Sequence, residues 1–214
     1  MLTKAALLIC AAASLSSAAT SSGAPADRAQ PTREFGLDRR PATDARAPRP
    51  DTQTVPAKRL DELFARLAAT DDVAQAQGLA EAIQREWRRS GSDTADTLMD
   101  RAVGAIGARP EIAAALLDKV IALEPAWAEA WNKRATLRFF QGDEAGSMND
   151  IAQVLRLEPR HFGALTGMGA ILQRRGLDEQ ALKVYDRALE VYPRLDDIRG
   201  IADKLRREVQ GRAI

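Results

Sequence analysis

Pro125, Pro159 and Pro193 stand 34 residues apart, and this spacing limits the possible folds more than any other feature. The first two close the same phrase, Leu123-Glu124-Pro125 and Leu157-Glu158-Pro159, and the third closes Val191-Tyr192-Pro193. A proline recurring at a fixed period together with its flanks marks an array of like units. Each unit carries a first helical pattern, a break at a glycine, a second helical pattern and then the proline. A unit of this size cannot bury its apolar face alone, so the units have to lean on one another.

The slots within a unit are filled in a recognisable way. In the last unit Leu165-x-x-Met168-Gly169-x-x-Leu172 supplies the large-residue and small-residue positions of a first helix. Ala181-x-x-x-Tyr185 and Pro193 supply those of the second. The preceding unit has Trp131, Ala135, Ser147-x-x-x-Ile151 and Pro159, with Gln141-Gly142-Asp143 as its turn. This pattern resembles the tetratricopeptide repeat (TPR), a helix–turn–helix module. The resemblance implies an all-α fold, a right-handed α-solenoid of helical hairpins closed by a C-terminal capping helix.

Units are expected at residues 92–125, 126–159 and 160–193. The first of these fits only in its second half, through Ala113-x-x-x-Leu117 and Pro125. Residues 58–91 form a divergent helix pair: Leu60, Leu63, Phe64 and Leu67 share one face, and Ala76, Ala80, Ile83 and Trp87 another. Terminal repeats are usually atypical, so this pair is expected to cover the first true repeat. Residues 194–214 form the capping helix, with Leu195, Ile198, Ile201, Ala202, Leu205 and Val209 inward and charged residues outward. A coiled-coil dimer helix is the rival reading, which leaves a homodimer open. In the third unit Arg134 and Arg138 replace the family's Leu and Tyr. Lying four apart, they share a helix face; either they snorkel past the seam, or they pair with acids on a neighbour such as Asp118 or Asp150.

Residues 1–19 read as a secretory signal: Lys4, an apolar run from Ala5 to Ala13, then small residues before a cleavage site. That run is too short to span a bilayer, so no membrane span is expected in the mature chain. Export would place the protein in the periplasm. Residues 20–57 hold six of the ten prolines and few apolar side chains, the composition of a disordered tether. A net charge of +1 creates no field that would draw the chain to nucleic acid.

The chemistry available is sparse. The one cysteine, Cys10, falls in the expected signal, leaving no thiol for a metal, disulfide or nucleophile. His161, the one histidine, falls in a turn where solvent exposure is the default. No metal-ligand cluster, phosphate loop or nucleophile elbow is present, so neither enzyme activity nor a cofactor is expected. The TPR resemblance implies instead that the first helices line a concave groove for a protein or peptide. By position that groove would present Glu129, Asn132, Lys133, Thr136 and Phe140 from the third unit. Gly163, Thr166, Ala170, Gln173 and Arg174 would come from the fourth, with Gly163 and Gly167 leaving shallow spots. Asn132, Lys133, Gln173 and Arg174 would hold a carboxylate or backbone carbonyls. The expected function is an exported, non-catalytic scaffold; an accessory subunit of an envelope enzyme and a self-associating module are the alternatives.

Overall fold

A computed structural model describes residues 54–212. The expected signal and nearly all of the expected tether lie outside this range. Among the described residues the secondary structure is entirely helical: α1 (Thr54–Ala69), α2 (Val73–Trp87), α3 (Asp93–Ala105), α4 (Pro110–Leu123), α5 (Ala128–Phe140), α6 (Glu144–Leu157), α7 (Phe162–Arg174), α8 (Asp178–Val191) and α9 (Asp196–Arg212). The fold is an all-α solenoid built from helical hairpins. The first helix begins at Thr54, inside the stretch read as tether. Pro56 sits in its first turn, where a missing N–H costs nothing.

Local chemistry sets the ends of these helices. Asp72, Ser92 and Asp143 each cap a helix by accepting a backbone N–H three residues on, the usual use of a short oxygen-bearing side chain before a helix. Pro110 occupies the first turn of α4, where its fixed φ suits a helix start. Gly142 and Gly176 follow α5 and α7 with φ of 82° and 71°.

Helices α3 and α4 bury Ala95, Met99, Ala102, Leu117 and Val120 together with Trp127 and Leu137 of the next unit. Helices α5, α6 and α7 share Ala135, Ile151, Val154, Ala164 and Ile171, so the segments around Trp131 and Leu165 lie side by side. Gly169 is the closest approach within α7 and α8. A Cβ there would come within 2.7 Å of the Tyr185 ring edge, and that ring is wholly buried. The capping helix buries Leu195, Ile198, Ala202 and Leu205 in the same core as α7 and α8. Its apolar side is therefore covered within the chain and is not free for a coiled coil.

Between α5 and α6 the seam is ionic. Arg134 donates through Nε and Nη2 to the two carboxylate oxygens of Asp150, at 2.9 and 2.8 Å, and through Nη1 to Asp118 at 2.7 Å. Arg138 reaches Asp150 at 2.9 Å. The partners are the acids expected from the sequence. A buried carboxylate held by two guanidiniums fixes the register of a seam, because removing either sign leaves the other uncompensated.

One expectation is overturned. The N-terminal pair does not cover the first repeat: none of its residues belongs to the α3–α4 core. Phe64, Leu67, Leu79, Ile83 and Trp87 instead share a core with Phe162, Tyr185, Tyr192, Leu195 and Ile198 of α7 to α9 and their connections, and α1 lies against α8. The pair turns back across the array because its aromatic residues find aromatic partners there. On α3, Thr94, Asp100 and Arg101 are exposed.

The close approach at Gly169 gives a direct check on this packing. Gly169→Ala forces the buried Tyr185 ring to move, and overpacking of this kind costs about 1–3 kcal/mol. Chemical denaturation should show the midpoint falling accordingly, with the helical signal of the folded protein retained.

Candidate functional site

The first helices α5 and α7 stand next to each other and form a wall whose two ends differ. At the N-terminal end a closed polar knot is centred on Glu129, in the first turn of α5 and only 6% exposed. Lys133, one turn on, places Nζ 2.8 Å from Glu129 Oε1. Asn132 Nδ2 donates to Oε2 at 2.9 Å, and His161 Nε2 lies 3.2 Å from the same oxygen.

His161 is not in an exposed turn, as expected from the sequence, but is 2% exposed. It caps α7, its Nδ1 accepting the Ala164 N–H at 3.1 Å. An accepting Nδ1 carries no proton, so the ring is the neutral form that donates from Nε2 to Glu129. Over its face lies the indole of Trp87, the last residue of α2, with centroids 4.0 Å apart and planes 8° from parallel. The Trp87 carbonyl in turn accepts the Trp127 Nε1–H at 2.6 Å.

Burial would push the Glu129 carboxyl up, yet the adjacent Lys133 ammonium and the His161 hydrogen bond bring it down to about 2. An ionised carboxylate inside a protein persists only with such compensation. Nearby, burial, together with the charges of Asp196 and Glu81, raises the Tyr192 hydroxyl, which places α2 beside the turn before α9.

Trp127, His161 and Leu195 are 34 residues apart in succession and hold equivalent places at the starts of three first helices. All three are buried. The N-terminal pair thus runs as a strap along the inter-repeat turns. Arg160 fastens α1 to the same row, 2.7 Å from Asp61 and with its guanidinium 4.2 Å above the Phe64 ring. Sequence reasoning passed over Trp87, Trp127 and His161 as site residues. The signal that could have found them is the 34-residue register of large side chains at helix starts.

At its other end the wall is open. Phe140, at the end of α5, is 51% exposed, and Gln173 and Arg174, at the end of α7, are exposed. Gln173 accepts the Tyr185 hydroxyl at 3.2 Å. Arg174 pairs with Glu144 and lies 4.6 Å over the Phe139 ring. In the middle, Thr136 and Thr166 are buried and donate back to Asn132 and Gly163 carbonyls of their own helices. Ala170 is half-buried. Gly163 and Gly167 line a shallow depression with Asn132, Ala135 and Thr136.

Of the groove residues read from sequence, then, Phe140, Gln173 and Arg174 are exposed, at the C-terminal ends of α5 and α7. Glu129, Asn132 and Lys133 form a group that is turned inward. Both cations proposed to hold a carboxylate already have one: Glu129 for Lys133, Glu144 for Arg174. Among the described residues no cluster of three or more His, Cys, Asp or Glu side chains is arranged to hold a metal. No described helix is long and apolar enough to cross a membrane.

Stacked helical hairpins with a 34-residue period, a small residue at the close approach and a wall of first helices define a TPR-type repeat protein. The chain is 48% identical over 139 residues to a TPR repeat-containing protein of Rhizobium etli, spanning 64% of this chain and 68% of that one. It belongs to that family. No family model matches the chain. Among solved structures, the MamA protein superposes with a TM-score of 0.46 at 13% identity, covering 73% of this chain and 90% of MamA.

The Glu129 knot has a pH signature. A carboxyl with a lowered folded value binds fewer protons folded than unfolded. Its stabilisation is therefore complete above the ordinary value of 4.5 and disappears as pH falls towards about 2. Glu129→Gln is expected to lower stability at neutral pH by about 1–3 kcal/mol. It should also flatten the loss of stability below pH 4.5, as followed by denaturant unfolding across pH.

Proposed function

We propose that this protein is an exported, non-catalytic scaffold that binds a protein or peptide partner through the wall formed by α5 and α7. The observation that carries the reading is the set of exposed residues at the open end of that wall. Phe140 offers an uncovered aromatic face at the end of α5, and Gln173 and Arg174 are exposed at the end of α7. Aromatic and arginine side chains are enriched where binding energy concentrates, and a preformed helical wall spares the partner's site an ordering cost.

Recognition then runs from the open end inwards. An apolar side chain of the partner packs on Phe140, while Arg174 and Gln173 engage carbonyl or carboxylate oxygens. Arg174 exchanges its pairing with Glu144 for the partner's acceptor, a small loss because ion pairs at a solvated surface contribute little. Asn132, Lys133, Thr136, Thr166 and Ala170 shape the floor further in. Export rests on the N-terminal pattern of residues 1–19. The compartment proposed is the periplasm.

Two measurements test this reading. Tagged protein carrying Phe140→Ala with Arg174→Ala should retain helicity and melt within a few degrees of the wild type. It should recover at least about ten-fold less of the protein that co-purifies with the wild type from envelope extract, the loss expected for removing about 1.4 kcal/mol of binding. Equal recovery would remove the open end from the site. Separately, residues 1–57 should carry a reporter that is active only outside the cytoplasm; an inactive reporter contradicts export.

A further inference from the structure

We propose that the α1–α2 hairpin is exchanged between two copies of this chain, each strapping the inter-repeat turns of the other. The partner that fits the strap-binding surface is thus a second copy.

The surface in question is the row formed by Trp127, Arg160, His161, Phe162 and Tyr192. The hairpin reaches it with Trp87 stacked on His161, with Trp87 also 5.0 Å from the Phe162 ring, and with Asp61 on Arg160, a pair 99 residues apart in the chain. None of these contacts requires the two sides to belong to one chain. The hairpin takes no part in the core of its sequence neighbours α3 and α4, so leaving them uncovers nothing there.

The connection is built to swing. Arg88 and Arg89 donate backbone N–H groups to Gln84 and Glu86 and so belong to the last turn of α2. On the other side, Ser90 gives both its N–H and its hydroxyl to Asp96, at 2.9 and 2.6 Å, and Ser92 caps α3. Both fastenings survive if the chain pivots at the Arg89–Ser90 junction. Gly91, with φ of 85°, ends the turn that folds the hairpin back.

Exchange of an identical element repeats every closed-form contact between two copies and is a low-cost route to a dimer. Within one copy the short α2–α3 connection keeps the hairpin at an effective concentration in the millimolar range. Dimer should therefore form when hairpins are released together at high protein concentration.

Charge reversal across the strap tests exchange without reference to any partner. Glu158 also holds Arg160, at 3.0 Å, so Asp61→Arg leaves two guanidiniums sharing that one carboxylate, and Arg160→Asp leaves the carboxylates of residues 61, 158 and 160 together; each variant alone weakens its own closure. In an exchanged heterodimer both junctions pair opposite charges. The two purified variants should be unfolded, mixed and refolded together at about 100 μM, and then analysed by light scattering and native mass spectrometry. Exchange predicts several-fold more heterodimer than the homodimer formed by either variant refolded alone. Wild-type protein refolded at that concentration should also give dimer, and adding Trp87→Ala to both variants should abolish the enrichment. A mixture that stays monomeric, or a dimer that forms equally with and without charge complementarity, overturns the proposal.

Discussion

The stack of the Trp87 indole on the His161 ring is the contact on which this architecture turns. It joins the end of α2 to the start of α7, and the carbonyl of the same residue holds Trp127 at the start of α5. Through this one side chain and its backbone, the N-terminal hairpin spans two inter-repeat turns. The geometry also explains why Glu129 stays ionised in a dry setting. His161 is fixed on its face by the indole and at Nδ1, in the ring plane, by the Ala164 amide, so its remaining N–H has one direction in which to donate. Lys133 then supplies the charge.

A simple solenoid is quasi-one-dimensional, with each unit touching only its neighbours. Here the first helical pair instead contacts the last units and crosses the middle ones, which adds a closure that a linear stack lacks. The consequence for binding is geometric. One end of the first-helix wall is sealed by the strap and by ion pairs that are already satisfied. At the other end Phe140, Gln173 and Arg174 are exposed. The strap and the proposed binding residues are thus separated along the same two helices.

Much of the fold is legible in the residues. The proline period fixes the hairpin size, the glycine at position 169 marks where a tyrosine ring presses against backbone, and two arginines four apart announce acids across the seam. These readings rest on contacts between elements close in sequence, where spacing alone decides which side chains meet. The strap is not legible in the same way. Asp61 and Arg160 find each other across nearly half of the chain, and no periodicity connects them. A polar residue after Pro159 defaults to solvent, and only the indole from α2 removes His161 from water. Lys133 and Arg174 fit a carboxylate-holding role by position. Their occupancy by Glu129 and Glu144 depends on rotamers and neighbouring turns that a pattern of slots does not encode.

Native-state hydrogen exchange tests most directly whether the strap binds the two ends of the array into one unit. In the wild type, the slowest amides of α1–α2 and of α7–α9 should open with the same free energy, and Trp87→Ala should lower both sets together while α3–α4 keeps its protection. If Trp87→Ala speeds exchange in α1–α2 alone and leaves α7–α9 as protected as before, the hairpin is an appendage and the closure described here does not exist.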